Sequence, residues 1–163
     1  MTYKIFKDCH YCLPPCPWFS YNKTVFNKTV CFDNSAAYTP DAEGDINKLY
    51  GVVLKGIHHS SARFGWRYTD DGMIEMFAYC YVNGERIVRS LCKAELNTEI
   101  KTTLIVTLYD YLFMVDCLGD ENVCVAHIPK ERDLLPKLMF ACRPYFGGNA
   151  TAPHTITITL NKP

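Results

Sequence analysis

The sequence predicts an all-β fold, built as a two-sheet antiparallel sandwich. Short runs of β-branched and aromatic residues recur along the chain, and most of them alternate apolar with polar positions. Turn residues separate these runs at intervals of about ten residues. Roughly ten or more short strands with almost no helical patterning are typical of a jelly roll. The plainest strand runs are TTLIVTL, YLFMVDC, VCVAHI, LMFACRPYF and HTITITL.

Residues 1–163 fit a single domain, because a chain of this length can bury one sizeable core. Residues 1–48 are rich in Cys and Pro, and we predict an edge strand, TYKIF, and long loops there. Residues 49–163 form the main sandwich. Only KERDLLPKL has a helical pattern, and Pro136 limits it to about one turn.

Composition argues against several classes of partner. Seventeen basic residues balance seventeen acidic ones, which gives no electrostatic reason to expect bulk binding to nucleic acid or to an anionic membrane. The first residues lack the apolar core of a signal peptide, and no run reaches the length of a membrane span. We therefore expect no secretion by the usual route.

Nine cysteines are an odd number, so not all of them can pair within the chain. Cys80, Cys92 and Cys124 occupy strand positions typical of core residues, where a free thiol packs as a small hydrophobe. A reducing compartment is expected. The N-terminal CHYCLPPC resembles part of a zinc knuckle, with Cys9, Cys12 and Cys16 as weak candidates, but a distant second ligand pair is missing. A Pro-stiffened loop with incidental thiols is the favoured explanation, and we expect no metal and no cofactor.

The turn after HHSSARFGWRY, residues 58–68, decides which side chains share a face with those of the next run, MIEMFAYCYVNG. A three-residue loop, Asp70–Gly72, with Gly72 in the left-handed conformation, makes one face wholly apolar. A shift by one residue would mix arginine into that face. We predict the core pairs Trp66–Met76, Phe64–Ala78 and Ala62–Cys80, and the opposite-face pairs Arg67–Glu75, Gly65–Phe77, Arg63–Tyr79 and Ser61–Tyr81.

The opposite face combines aromatic hydroxyls with arginine and glutamate, which suits a polyhydroxylated ligand such as a sugar. The alternative is a solvated sheet face held by cross-strand pairs. Hydrolysis of a glycoside would need two carboxylates, and this face has one, whereas a lyase needs a Tyr or His base beside an Arg or Asn that neutralises a uronate. The candidate ligand-binding residues are His59, Arg63, Arg67, Glu75, Tyr79 and Tyr81.

The segment PYFGGNATAPH, residues 144–154, contributes two further candidates. Its adjacent glycines can take positive φ and reverse the chain tightly, and we expect this of Gly148. The loop is predicted to bend beside the tyrosine and arginine face, so that Tyr145 or His154 borders the site. A plain hairpin turn far from any ligand is the alternative.

A resemblance adds to this interpretation. KLYGVVLKGIHHSSARFGWRY, IEMFAYCYVNGERI and PYFGGNATAPHTITITL resemble uncharacterised jelly-roll proteins of Bacteroidales bacteria and their tailed, crAss-like phages. The last segment is also similar to the closing strands of concanavalin-like lectins and glucanases. The likeness covers about residues 49–160. It brings no catalytic motif, since the paired carboxylates of the glucanases and the Gln-x-His and Tyr-x-Lys signatures of jelly-roll alginate lyases are absent.

The resemblance implies a non-catalytic, lectin-like module of a virion or a cell surface, located in the virion or in the cytoplasm of the producing cell. Its expected partners are a glycan or other virion and surface proteins, and the chain could form a homo-oligomer. A polysaccharide lyase or a glycoside hydrolase is the alternative from another class.

Overall fold

A computed structural model describes most of the chain, namely residues 1–13, 18–21, 23–39, 44–117, 123–132 and 138–162. Within these residues the chain forms thirteen β-strands and one 3₁₀ turn, Asn34–Ala36. The strands are β1 (Thr2–Ile5), β2 (Cys12–Leu13), β3 (Trp18–Tyr21), β4 (Val25–Phe32), β5 (Asn47–Gly56), β6 (Ser60–Tyr68), β7 (Ile74–Val82), β8 (Glu85–Ala94), β9 (Glu99–Val106), β10 (Asp110–Cys117), β11 (Cys124–Pro129), β12 (Leu138–Cys142) and β13 (Ile156–Asn161). Over the described ranges, no helix is long and apolar enough to cross a membrane.

The strands form two antiparallel sheets. The seven-stranded sheet has the order β11-β10-β9-β4-β13-β1-β2, and the six-stranded sheet has the order β3-β12-β5-β6-β7-β8. Both sheets contribute to one buried hydrophobic cluster. The predicted all-β, two-sheet sandwich is confirmed.

Aromatic rings join the two sheets in the core. Phe64 of β6 meets Phe113 of β10 edge-on, with ring centroids 5.0 Å apart, and Trp66 lies 4.9 Å from Phe32 of β4. All four side chains are at most 1% exposed. Full burial of such a side chain contributes roughly 1.5–3 kcal/mol, so these contacts hold the six-stranded sheet firmly on its partner.

The predicted register between β6 and β7 is confirmed at every pair, including Trp66–Met76, Arg63–Tyr79 and Arg67–Glu75. The Thr69 N–H donates to the Met73 carbonyl (2.9 Å), and Gly72 has a φ of 81°. The apolar face of the hairpin is fully buried, as the alternation predicts. Its side chains Phe64, Trp66, Met76, Ala78 and Cys80 are all 0% exposed.

The N-terminal part differs from its prediction as an edge strand with loops. Residues 25–32 form β4, which lies inside the seven-stranded sheet between β9 and β13. Only its second half fully buries apolar side chains, Val30 and Phe32, because Lys28 occupies the inward-facing position between Phe26 and Val30. The strand Thr2–Ile5 is one position in from the edge, which β2 occupies. Most of KERDLLPKL falls outside the described residues.

The loop after β12 reverses at Gly147 and not at Gly148. Gly147 has the positive φ, 68°. The loop is tied to β5 through two residues, since Lys48 and Tyr145 exchange backbone hydrogen bonds of 2.8 and 2.9 Å. The Gly147 N–H donates to Oδ1 of the buried Asn47 (2.6 Å). The loop is therefore fixed against the six-stranded sheet.

Replacing Gly147 by Ala should lower the free energy of unfolding more than replacing Gly84 by Ala. Both glycines have positive φ, 68° and 86°, so both variants carry backbone strain of about 1 kcal/mol. A Cβ at Gly147 would lie 2.0 Å from the Ala150 carbonyl oxygen, whereas a Cβ at Gly84 meets nothing within 4 Å. Urea denaturation measures the difference, and equal losses would contradict this loop geometry.

Candidate functional site: a basic groove

A groove of about 790 Å³ opens on the outer face of the six-stranded sheet. Side chains of β5, β6 and β7 form its floor, and residues 141–145, residues 147–149 and Tyr11 form one wall. Its described lining includes Lys48, Arg63 and Arg143 but no aspartate or glutamate. A concave site of this size lined by cations and tyrosines suits an anionic, hydroxylated ligand.

Arg63 lies at the floor of the groove, in the middle of β6. Its guanidinium lies 5.0 Å from the ring centre of Tyr79, and the residue is 5% exposed. Its Nε is buried and has no hydrogen-bond partner, and no ion pair joins Arg63 to a carboxylate of the described residues. A buried cation without a counter-charge is unfavourable by several kcal/mol. The charge is therefore suited to an anion that comes from outside.

Lys48 contributes a second cation beside Arg63. The register of β5 shifts between Lys48 and Tyr50, so that Lys48 pairs with Gly65 and lies on the same face as Arg63. Its Nζ donates to the Gly147 carbonyl (3.1 Å) and lies 4.9 Å from the ring centre of Tyr79. Burial and the neighbouring Arg63 and Arg86 lower the pKa of Lys48 to about 8, against the opposing effect of Asp45. The amine is thus partly uncharged near neutral pH.

Tyr79 and Tyr81 complete the floor. Their ring centres are 6.0 Å apart, and Tyr79 is 6% exposed. Burial and the hydrogen bond with Tyr81 raise the pKa of Tyr79, although Arg86 and Arg63 act in the opposite direction. The Tyr79 hydroxyl is therefore protonated at neutral pH and available as a donor. His58 contacts the Tyr81 ring edge-on, with centroids 5.1 Å apart.

Asp45 supports the wall of the groove from behind. Its Oδ2 accepts the N–H groups of Gly148 (2.7 Å), Asn149 (2.9 Å) and Ala150 (3.5 Å). Burial raises the pKa of this carboxyl, but the three N–H groups and Lys48 outweigh it, so the pKa is lowered overall. A carboxylate that accepts several backbone bonds favours its charged form. The wall therefore depends on an ionised Asp45.

The structure brings together four of the predicted site residues, since Arg63, Tyr79, Tyr81 and Tyr145 all line the groove. Arg67 and Glu75 share the same sheet face farther along, outside the groove lining. Their side chains form an ion pair of 2.7 Å, and Ser90 donates to Glu75 at 2.7 Å. For these two residues the geometry is that of a cross-strand pair that holds the sheet.

His59 and His154 do not line the groove. The predicted strand alternation starts at residue 58, but residues 57–59 form a turn, and the His59 N–H donates to the Gly56 carbonyl (3.0 Å). Its neighbour His58 faces the groove instead. His154 is hydrogen-bonded through Nε2 to the Ser35 carbonyl (2.8 Å). That bond ties the segment before the last strand to the 3₁₀ turn.

Lys48 and Tyr11 are groove residues that the sequence pattern did not indicate. Strict alternation places Lys48 with Tyr50 and Val52, which face the core, and only the bulge in β5 reverses this. A lysine within an apolar strand run was the available signal for such a bulge. Tyr11 reaches the groove through a single backbone bridge with Tyr145, which no local pattern indicates.

The N-terminal cysteines do not come together as ligands where they are described. Cys9 is exposed, Cys12 is buried in β2, and Cys16 lies outside the described residues. No group of three or more His, Cys, Asp or Glu side chains in the described part of the chain could hold a metal ion. Burial raises the pKa of the core thiol Cys80 to about 12, as expected of a cysteine that packs as a hydrophobe.

Comparisons with known proteins establish the fold. No protein-family model matches the sequence, and no curated protein matches it. The chain is similar in structure to an alginate lyase from a Chlorella virus, with a TM-score of 0.61 and 13% identity over 99% of this chain and 81% of that one. A xylan β-1,4-xylosidase from Bacillus halodurans shows a TM-score of 0.50 and 6% identity over 85% of this chain and 27% of that one. The shared architecture confirms the predicted jelly roll.

Replacing Asp45 by Asn should reduce the free energy of unfolding at neutral pH but not at low pH. Because the folded-state pKa of Asp45 is lowered, the wild type gains stability above the unfolded-state pKa, near 4, and loses it as the pH falls through the folded-state value. The two denaturation midpoints should therefore converge below about pH 4. A difference that stays constant down to strongly acidic pH would show that the Asp45 charge contributes nothing.

Proposed function

We propose that the protein binds an acidic, uronate-containing polysaccharide in the basic groove and cleaves it by β-elimination. The observation that carries the proposal is the buried Arg63 guanidinium, which has no carboxylate partner among the described residues and faces the groove beside Lys48. A ligand carboxylate in the groove would supply the missing counter-charge. The tyrosine hydroxyls would bond the sugar hydroxyls.

The groove favours elimination over hydrolysis. A glycoside hydrolase needs two carboxylates on either side of the bond, and the described lining contains none. The nearby Glu75 is bound to Arg67 and Ser90. Elimination needs instead a cation that holds the uronate carboxylate, a base for the C5 proton, and an acid for the leaving oxygen.

The pKa shifts of Lys48 and Tyr79 support one assignment of those roles. Lys48, with a pKa of about 8, is close to the ideal value for a base at neutral pH. Tyr79, with a raised pKa, keeps its proton and is the acid. Groups whose pKa values are moved apart in this way form an acid–base pair. Arg63 binds the carboxylate and stabilises the negative charge that develops on it.

The reaction proceeds without any added reactant. The neutral Lys48 amine takes the proton from C5 of the uronate, and the electron pair forms the C4–C5 double bond. The C4–O bond breaks, and Tyr79 gives its proton to the departing oxygen. One product chain carries an unsaturated uronate, and the other carries a new reducing end. Proton return from Lys48 to Tyr79 through solvent restores the site.

The fold comparison agrees with this chemistry without establishing it. The solved structure with a TM-score of 0.61 is named as an alginate lyase, and alginate is a polyuronate. The sequence-based expectation of a lectin-like module agrees with the proposal on glycan binding but includes no cleavage. The virion or cell-surface role stays a prediction from the resemblance.

Replacing Lys48 by Arg should abolish turnover and preserve binding, because arginine keeps the positive charge but cannot accept a proton at these pH values. The wild type should release unsaturated uronates from alginate, polygalacturonate or glucuronan, followed by ultraviolet absorbance. Its kcat/KM should rise with pH through about 8, as Lys48 loses its proton.

Lys93→Arg serves as the matched control, since Lys93 is an exposed lysine that pairs with Asp71 at 2.6 Å. It should behave as the wild type. If the wild type binds the polymer but releases no product, the elimination step is rejected and the protein is a binding module. Normal turnover in Lys48→Arg would reject Lys48 as the base.

A further inference from the structure

One rim of the groove carries an exposed aromatic side chain that the proposed chemistry does not use. Tyr11 lines the groove, yet it is 75% exposed. The ring is large and apolar, and water covers most of it. A flat exposed ring next to a polar groove is a surface on which the apolar face of a sugar can stack.

Backbone hydrogen bonds hold this segment in place. The Asp8 N–H donates to the Ala152 carbonyl (2.8 Å), and the Ala152 N–H donates to the Cys9 carbonyl (3.1 Å). The Phe146 N–H donates to the His10 carbonyl (2.9 Å), and His10 Nδ1 is bonded to the Phe146 carbonyl (2.9 Å). A residue held in this way loses little conformational entropy when a ligand binds.

Neighbouring rings fix the orientation of the aromatic rim. His10 stacks on Tyr145 with centroids 5.2 Å apart and ring planes 7° from parallel. Tyr11 meets Tyr145 edge-on, with centroids 5.3 Å apart and an angle of 82°. Tyr145 itself lines the groove next to Lys48. The aromatic rim therefore continues directly from the cationic floor.

We infer that Tyr11 and Tyr145 form a second sugar-binding subsite, which holds the pyranose unit next to the uronate bound by Arg63. The inference rests on the proposed function, because the position of the first unit depends on Arg63. It makes the ligand a chain of at least two sugar units rather than a single uronate. The second sugar unit stacks on the Tyr11 ring, and the Tyr145 hydroxyl is the nearby polar group that can bond a sugar hydroxyl.

The test measures affinity against ligand length. Calorimetry uses galacturonate and mannuronate oligomers, from the monosaccharide upward, in the Lys48→Arg background so that turnover does not consume the ligand. Affinity should increase when the second unit is added. Tyr11→Ala should remove that gain, a loss of about threefold to tenfold for the longer oligomers, and should leave monosaccharide affinity unchanged.

Tyr109→Ala is the matched control, since Tyr109 is 56% exposed at the turn between β9 and β10 in the other sheet. It should change nothing. If the oligomers bind and Tyr11→Ala equals its parent at every length, the subsite is rejected while the proposed function stands. If no uronate of any length binds the parent, the proposed function itself fails.

Two other results would also overturn the subsite. An equal loss for the monosaccharide and the oligomers would show that Tyr11 supports the floor and does not contact a second unit. Tighter binding of a single-stranded oligonucleotide, lost in Tyr11→Ala, would assign the ring to nucleobases, which also stack on aromatic side chains in basic grooves.

Discussion

The buried charge of Arg63 is the constraint around which the groove is organised. The residue is 5% exposed, and its buried Nε has no hydrogen-bond partner. Burial and then the proximity of this charge lower the pKa of Lys48 to about 8. Both cations lie against the ring of Tyr79, and this contact offsets part of the electrostatic strain, by up to about 2 kcal/mol. On the other face of the same sheet, the burial of core side chains such as Phe64 and Trp66 contributes the stabilisation that offsets the remaining cost.

The core and the groove depend on a single register. In the β6–β7 hairpin, Trp66 and Met76 are buried between the sheets, while Arg63 and Tyr79 are on the opposite side. A slip by one residue would bury arginine in the core and expose the tryptophan, so packing of the core also fixes the geometry of the site. At Gly51 the backbone of β6 approaches so closely that a Cβ would lie 2.0 Å from the Ala62 carbonyl oxygen. Strands β5 and β6 are therefore held together directly beneath the two cations.

The sequence predicted those parts that depend on short-range alternation and turn chemistry. The Asp70–Gly72 loop and the pairing of Arg63 with Tyr79 are examples, because only one register separates apolar from polar side chains. The sequence did not predict that Lys48 lines the groove, because a bulge reverses the alternation of β5. It also predicted His59 as a groove residue where the structure has His58, because a turn precedes the strand at this point. The sequence could not predict Tyr11 as a groove residue, because the position of its segment depends on long-range contacts with residues 145–152. The interior position of β4 likewise depends on pairing with β9 and β13, which its own sequence does not indicate.

The central claim is that Arg63 is retained for an anionic ligand and not for the fold. Replacing Arg63 by Met, which fills a similar volume without the charge, tests it most directly when unfolding and polymer binding are measured on the same sample. If Arg63 is retained for a ligand, the free energy of unfolding of the Arg63→Met variant is unchanged or raised by about 1–4 kcal/mol. Its affinity for the uronate polymer falls at least about tenfold. A variant destabilised by several kcal/mol that still binds the polymer would contradict the claim, because it would make Arg63 a structural residue.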